Sequence, residues 1–507
     1  MHSVGSTLLV FLVLYFLITV AISRAVQRQA TTGYLSFLIA GKRMPWWIIA
    51  FSAFATYEGA TSFLAWPGQV WKSGVVIGWQ IYATSMGVLV FSLFMIPILA
   101  NMRRITLPEI FAERYGPTMR LIVAILSYSR LLGGGAIMLL GMADVLKTYF
   151  GLNVEVGLLV ALLIMGVYVT ISGQYGVMYA DVFQAVFTIL SSFGAPIMLL
   201  LAVGHGSLAQ GWAFTQRHLP PAHLDLMGGG QVSHAVIFGY IATWFFSQML
   251  RPDLYGRIFS ARTSKDGVLG WVAFATFAPI QQTGIIVAGL AGSVLVAHLS
   301  SPDLLMPTAL GQYAPTWFAA IYSLGVISAC TAVSAASFLG ASSIYMADIH
   351  LTYINRNLSS RRIIWYTRIA TVVFALVAAF WAYTDRSIIT IISNALSVLI
   401  GGVLVPFFAM FFWARMTTVG AYLSSIGGGL AAVLFTMVFP KVQPLGMPGV
   451  IFAILVSLVL ALVGSYATPA QTEAASRFAE AYGLAGMRKR LKLRGVGSPE
   501  PVTPGLN

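Results

Sequence analysis

The chain has 507 residues, 58% of them apolar and only 9% charged, with a mean hydropathy of +0.84, which excludes a water-soluble domain of this size. Its formal charge of +14 does not mark a nucleic-acid partner, because the basic residues are spread through short connections between apolar runs. Those runs point to a lipid bilayer.

A bilayer core of ~30 Å takes roughly 20 apolar residues per helical span, and about thirteen such runs follow one another here. They fall at 5–23, 46–67, 75–100, 121–146, 154–172, 178–204 and 233–250, then at 267–298, 316–347, 363–384, 387–413, 418–439 and 448–467. The expected fold class is all-α: a polytopic membrane protein with one transmembrane domain over 1–467 and a basic tail over 468–507. The first run has basic residues after it and none before it, so it reads as a retained helix rather than a cleaved signal. Arg24, Arg28, Lys42 and Arg43 follow it; Arg103, Arg104, Arg114 and Arg120 follow the third run, and Arg251, Arg257, Arg262 and Lys265 the seventh. Arg356, Arg361, Arg362 and Arg368 follow the ninth, and Arg415 the eleventh, whereas the opposite connections hold only Lys72, Lys147, Arg217, Arg386 and Lys441. By the positive-inside rule the N-terminus faces outward and the tail lies in the cytoplasm. The expected location is the cell membrane, crossed many times. The tail contributes an amphipathic basic stretch from Arg477 to Arg494, read as a surface helix followed by disorder.

Two runs read as broken. In the second, Thr56-Tyr57-Glu58-Gly59-Ala60-Thr61-Ser62 interrupts an apolar helix at mid-depth, and interrupted spans at corresponding places in two halves mark a transporter's binding site. The seventh run is its counterpart, with Gly239, Thr243, Ser247 and Gln248 along it. An isolated carboxylate is costly in lipid, so Glu58 carries a proton, binds a cation or pairs with a base. Arg130 lies ten residues into its helix from Arg120, ~15 Å deep at 1.5 Å per residue, and either pairs with Glu58 or forks onto a substrate carboxylate. Asp181, at the end of the sixth run, is a candidate on the ion path, with an ordinary helix cap as the plainer reading. Gln281 and Gln282 must hydrogen-bond a neighbouring helix or a ligand. The ninth run holds Ser323, Ser328, Thr331, Ser334, Ser337, Ser342 and Ser343; small hydroxyl residues serve close helix packing, and a subset can supply oxygens to a hard cation. Cys330 reads as a small core residue. No zinc-type Cys/His cluster, P-loop, Gly-x-Ser-x-Gly elbow or paired nucleophile and base is present in the sequence, so an enzyme is not expected.

In these residues the sequence resembles the sodium/solute symporter family, which includes proline, pantothenate, acetate, sialic acid and sugar symporters. The resemblance rests on Gly41-Lys42-Arg43-Met44-Pro45-Trp46-Trp47, Ala60-Thr61-Ser62-Phe63-Leu64, Leu107-Pro108-Glu109-Ile110, Gly173 to Gln184, Pro252-Asp253-Leu254-Tyr255-Gly256-Arg257 and Ala347-Asp348-Ile349. It implies a LeuT-like core of two inverted five-helix repeats, about 46–204 and 233–413, working by alternating access. It also implies a sodium site at the carbonyls of Ala55 and Glu58 and at Ala329, Ala332 and Val333. The last two positions usually carry hydroxyls in the family, so the site is either rebuilt around Glu58 and Ser334 or lost.

The function expected is cation-coupled symport of a small organic solute, with Na+ as coupling ion and no other cofactor. Thr61, Ser62, Arg130, Trp244, Gln248, Gln281 and Gln282 are the candidate substrate-lining residues, and the deep arginine tilts the solute toward a carboxylate or amino acid. The alternatives are proton coupling through Glu58, uncoupled transport, or a transporter-derived solute sensor. The expected partners are that solute and the bilayer, with no nucleic acid; the sequence sets no oligomeric state.

Overall fold

Lipid offers the backbone no hydrogen bonds, so amides and carbonyls pair within helices or closed barrels, and this chain takes the helical solution. The computed structural model describes residues 2–484 except 101, 103, 231, 445 and 446. Its first elements are α1 His2–Ala30, α2 Trp46–Tyr57, α3 Trp66–Ser73, α4 Gly78–Val90 and α5 Pro117–Phe150. Then come α6 Val154–Ile171, α7 Gly173–Val203, α8 His234–Leu250, α9 Pro252–Phe259, α10 Ser264–Leu295 and α11 Thr316–Ile344. The last are α12 Ser360–Thr384, α13 Ile388–Phe412, α14 Thr418–Ala432, α15 Gly449–Tyr466 and α16 Thr472–Ala481.

Eleven helical stretches among the described residues are long and apolar enough to cross a membrane. The two expected spans missing from that set are the interrupted ones: α2 has 12 residues and α8 has 17, each short of a full crossing by itself. Runs five and six meet end to end as α6 and α7, parted at Gly173. Its backbone (φ 54°, ψ −155°) lies in a region essentially confined to glycine, and a Cβ there would sit 2.6 Å from the carbonyl oxygen of Phe37.

Burial separates centre from periphery. In the stretch Thr316–Ile354, which contains α11, 94% of the apolar window is buried, against 22% at the α1 end. The alanine, serine and glycine content of α11 lets α2, α5, α7 and α9 pack closely on it. Its position makes α11 the scaffold against which the breaks in α2–α3 and α8–α9 are held.

The tail helix packs on the bundle. Ala475, Phe478 and Ala479 of α16 are buried, Phe478 meets Phe411 with ring centroids 6.0 Å apart, and the Tyr482 hydroxyl donates to Glu113. Arg477 pairs with Glu473 at 3.0 Å; Arg488, Lys489, Arg490, Lys492 and Arg494 lie outside the described residues.

Candidate functional site

The first break begins where α2 stops at Glu58, whose backbone is extended (φ −87°, ψ 139°). The chain re-enters helix through a wide π-type turn, Thr61–Ala65, that leads into α3. The second break lies further along than the sequence suggested. Helix α8 runs unbroken through Gly239, Thr243, Ser247 and Gln248 and ends at Leu250, where Arg251 (φ −66°, ψ 104°) separates it from α9. Pro252 explains the position, since proline disfavours helix in the residue before it and fits the first turn of the next.

The two breaks are electrically complementary. Arg251 donates from Nη2 to the carbonyl of Thr56 at 3.4 Å, a cation at the carbonyl end of α2, and its guanidinium lies 5.4 Å from the centre of the Tyr57 ring. Asp253, in the first turn of α9, is an acid at a helix N-terminus and accepts from Arg251 Nη2 at 2.6 Å.

Arg130 of α5 reaches the same carboxylate. Its Nη2 lies 3.5 Å from Asp253 Oδ2, while its Nε and Nη1 have no hydrogen-bond partner. Its partner is therefore Asp253 and not Glu58. Gly134 makes room for it: a Cβ at that position would lie 1.9 Å from Arg130 Nη1. Arg257 of α9 completes the group, donating to Asp181 Oδ2 (2.8 Å), Ser52 Oγ (2.8 Å) and the Asp253 carbonyl (3.2 Å). Asp181 is fully buried in an ion pair with a fully buried guanidinium, so it is no interfacial cap. Arg251 and Arg257, which follow an apolar run in sequence, lie inside the protein as well.

Glu58 is fully buried, and neither of its carboxylate oxygens has a hydrogen-bond partner. Ser62 and Arg251 are its polar neighbours. Together Arg130, Arg251 and Arg257 face Asp181, Asp253 and Glu58, a buried set whose formal charges cancel when all are ionised.

A cavity of about 40 Å³ lies between the breaks, lined by Thr61, Ser62, Arg130, Trp244, Gln248 and Arg251 among others. That volume holds only a few waters, less than a metabolite needs. Five of the seven candidate substrate residues line it. Gln281 and Gln282 do not: Gln281 donates to Ser192 at 2.8 Å, and Gln282 accepts from Ser85, so both serve helix packing. A second cavity of about 280 Å³, with Gln80, Tyr240, Ser393 and Asn394, shares Trp244 with the first. A third, of about 20 Å³, has Asp253 on its wall. The Trp66 and Trp244 rings meet at 5.2 Å on one side of the central cavity, and the Arg130–Asp253 pair lies on another.

At the positions drawn from the sodium site, Ala55 packs with Ala332 and Ala185, and Ala329 and Val333 are buried, with Val333 on the cavity wall. None of these side chains offers an oxygen. Ser334 does: it is buried on α11, its hydroxyl without a partner, and α11 packs on α2, which ends at Glu58. Sequence reasoning missed Ser52, Trp66, Thr84, Arg251, Asp253 and Arg257. The signal was present in Arg251-Pro252-Asp253, charges placed at a proline directly after an apolar run.

The family profile described as sodium:solute symporter matches residues 37–428. The chain is 26% identical over 476 residues to a sodium/pantothenate symporter of Escherichia coli, covering 90% of this chain and 95% of that one. It is 24% identical over 452 residues to a sodium/glucose cotransporter of Vibrio parahaemolyticus, covering 81% and 80%. Its fold matches that of a Na+-coupled sialic acid symporter in a substrate-bound outward-open state, with a TM-score of 0.76, 16% identity and 92% and 98% of the two chains covered. A nucleobase-cation-symport-1 family transporter in a closed conformation gives a TM-score of 0.55 at 15% identity, over 88% and 98%. With a profile match over most of its length and many helices fit to cross a membrane, this chain is a multi-pass membrane transporter that belongs to the sodium:solute symporter family.

Proposed function

We propose that this protein couples the inward movement of Na+ to that of a small organic carboxylate, an amino acid or short organic acid, bound between the two breaks. The observation that carries the reading is the charge balance of the buried set. Three arginines face three carboxylates, yet Arg130 keeps two free donors beside the central cavity and Glu58 keeps two free acceptors. A carboxylate alone at Arg130 adds a buried negative charge, and Na+ alone at Glu58 adds a positive one. Each is costly uncompensated, and together they restore neutrality, which makes their binding cooperative.

In this reading the cation lies among the carbonyls of Ala55 and Glu58, the Glu58 carboxylate and Ser334. The solute meets Thr61, Ser62, Arg130, Trp244 and Gln248. Two repeats, about 46–204 and 233–413, and thirteen crossings, with the N-terminus outside and the tail inside, form the moving framework. The Trp66–Trp244 contact gates the side of the larger polar cavity and the Arg130–Asp253 pair gates the other. Family membership supports sodium over a proton as the coupling ion.

The test is thermal unfolding of the purified protein titrated with Na+ against K+ or choline at fixed ionic strength, since a ligand of the folded state raises its apparent stability. The parent protein gains stability with Na+ specifically, and Glu58→Gln loses that gain. Indifference to Na+, with stability tracking pH only when Glu58 is present, overturns sodium coupling in favour of proton coupling.

A further inference from the structure

Away from the central site, an open cavity of about 900 Å³ lies between the end of α1 and the start of α12, with Thr31, Arg361, Arg362, Trp365, Tyr366 and Arg368 on its walls. Its size is that of a pocket for a sizeable ligand, and the transport site has no use for it. Its chemistry is cationic and aromatic. Arg361 and Arg362 are exposed, and no described carboxylate pairs with either. Arg368 donates from Nη2 to the carbonyl of Ile171 at 3.1 Å and stacks 5.6 Å from the Phe37 ring, yet its buried Nε has no partner. Three guanidinium groups thus face one cavity with donors to spare.

The level of this cavity in the bilayer follows from the helix that bears it. Helix α12 has 25 residues, about 37 Å at 1.5 Å per residue, so its first turn lies at a membrane boundary. Trp365, 59% exposed, and Tyr366 fall one turn further in, where aromatic side chains anchor to headgroups. Below them the outward face of α12 is an apolar stripe, Ile369, Val372, Val373 and Leu376. A ligand in this cavity therefore has cationic donors at its head and an apolar stripe along its length. A soluble anion uses only the first of these; a phospholipid uses both.

We propose that this cavity binds the headgroup of an anionic phospholipid, its phosphodiester held by Arg361, Arg362 and Arg368 and its acyl chains laid along α12. The site is separate from the central cavity and independent of the coupling ion.

The test is native mass spectrometry of the full chain released from mixed micelles containing equal phosphatidylglycerol and phosphatidylcholine, for the parent and for Arg361→Gln/Arg362→Gln. Both arginines are exposed and unpaired, so the variant keeps the fold, which its unchanged thermal midpoint in phosphatidylcholine verifies. The parent retains phosphatidylglycerol preferentially, and the double variant loses about fivefold of that preference per arginine removed. Equal retention of the two lipids by the parent, or an undiminished preference in the variant, overturns the site. A parallel arm adds glycerol phosphate at millimolar concentration. If it stabilises the protein as strongly as phosphatidylglycerol does, the cavity binds a soluble phosphate and the lipid assignment fails; no stabilisation supports the acyl chains as part of the ligand.

Discussion

Arg130 shows how one side chain in the apolar interior is made useful. It sits on a helix of which Gly133, Gly134 and Gly135 form the next turn, and the missing Cβ of Gly134 leaves room for the guanidinium. An alanine at this position improves intrinsic helix propensity by ~1 kcal/mol, and the group it displaces is the far end of a long side chain. Gly134→Ala is therefore expected to raise the KM for solute at least tenfold while lowering the thermal midpoint by less than loss of the Asp253 counter-charge does, the helix-propensity gain offsetting part of the disturbed Arg130–Asp253 pair. A fall in stability with an unchanged KM would show that Gly134 serves packing alone. Depth made Arg130 legible in the sequence, as it made Glu58, because neither can reach water by snorkelling. Asp253 was not legible, since its partners come from 2 and 123 positions away, and a charge beside a proline reads as a loop.

At the scale of elements, Asp253 ties three helices together: α5 through Arg130, the end of α8 through Arg251, and α9 on which it sits. Its replacement leaves two buried guanidinium groups short of a counter-charge, a loss of roughly 3–5 kcal/mol. Asp253→Asn is expected to lower the thermal midpoint strongly. Glu155→Gln, which breaks the solvated pair with Arg386 on the surface, is expected to leave it in place. Equal effects of the two substitutions would remove the joint from the account. The elements themselves were largely readable from hydropathy, because span length is set by bilayer thickness. Two details were not. The second break falls at Arg251 rather than along Gly239–Gln248, since hydroxyl and amide side chains sit comfortably inside a helix whereas Pro252 does not. Gln281 and Gln282 bond to other helices, which side-chain polarity alone does not distinguish from a ligand contact.

At the scale of the whole molecule, the central cavity is too small for a metabolite as it stands, and a larger cavity adjoins it across Trp244. In the proposed mechanism the broken helices shift against α11 so that one wall opens while the other stays shut. The energetic logic of the proposed coupling is that of a ligand pair: Na+ and a carboxylate would each shift the conformational equilibrium only by their differential affinity for its states, and charge balance would make the pair more effective than either member. Family and fold class were legible in the sequence through short motifs in a fixed order. The charge balance was not, because it joins Glu58, Arg130, Asp181, Arg251, Asp253 and Arg257 from five separate elements or breaks. The most direct test is radioactive Na+ uptake into proteoliposomes that contain only this chain, with a panel of amino acids and short organic acids outside. The account predicts that a carboxylate in the panel accelerates Na+ entry, that an imposed Na+ gradient drives uptake of that solute, and that Arg130→Gln and Glu58→Gln each abolish the coupling. Solute uptake that ignores the Na+ gradient and follows an imposed pH gradient would contradict it.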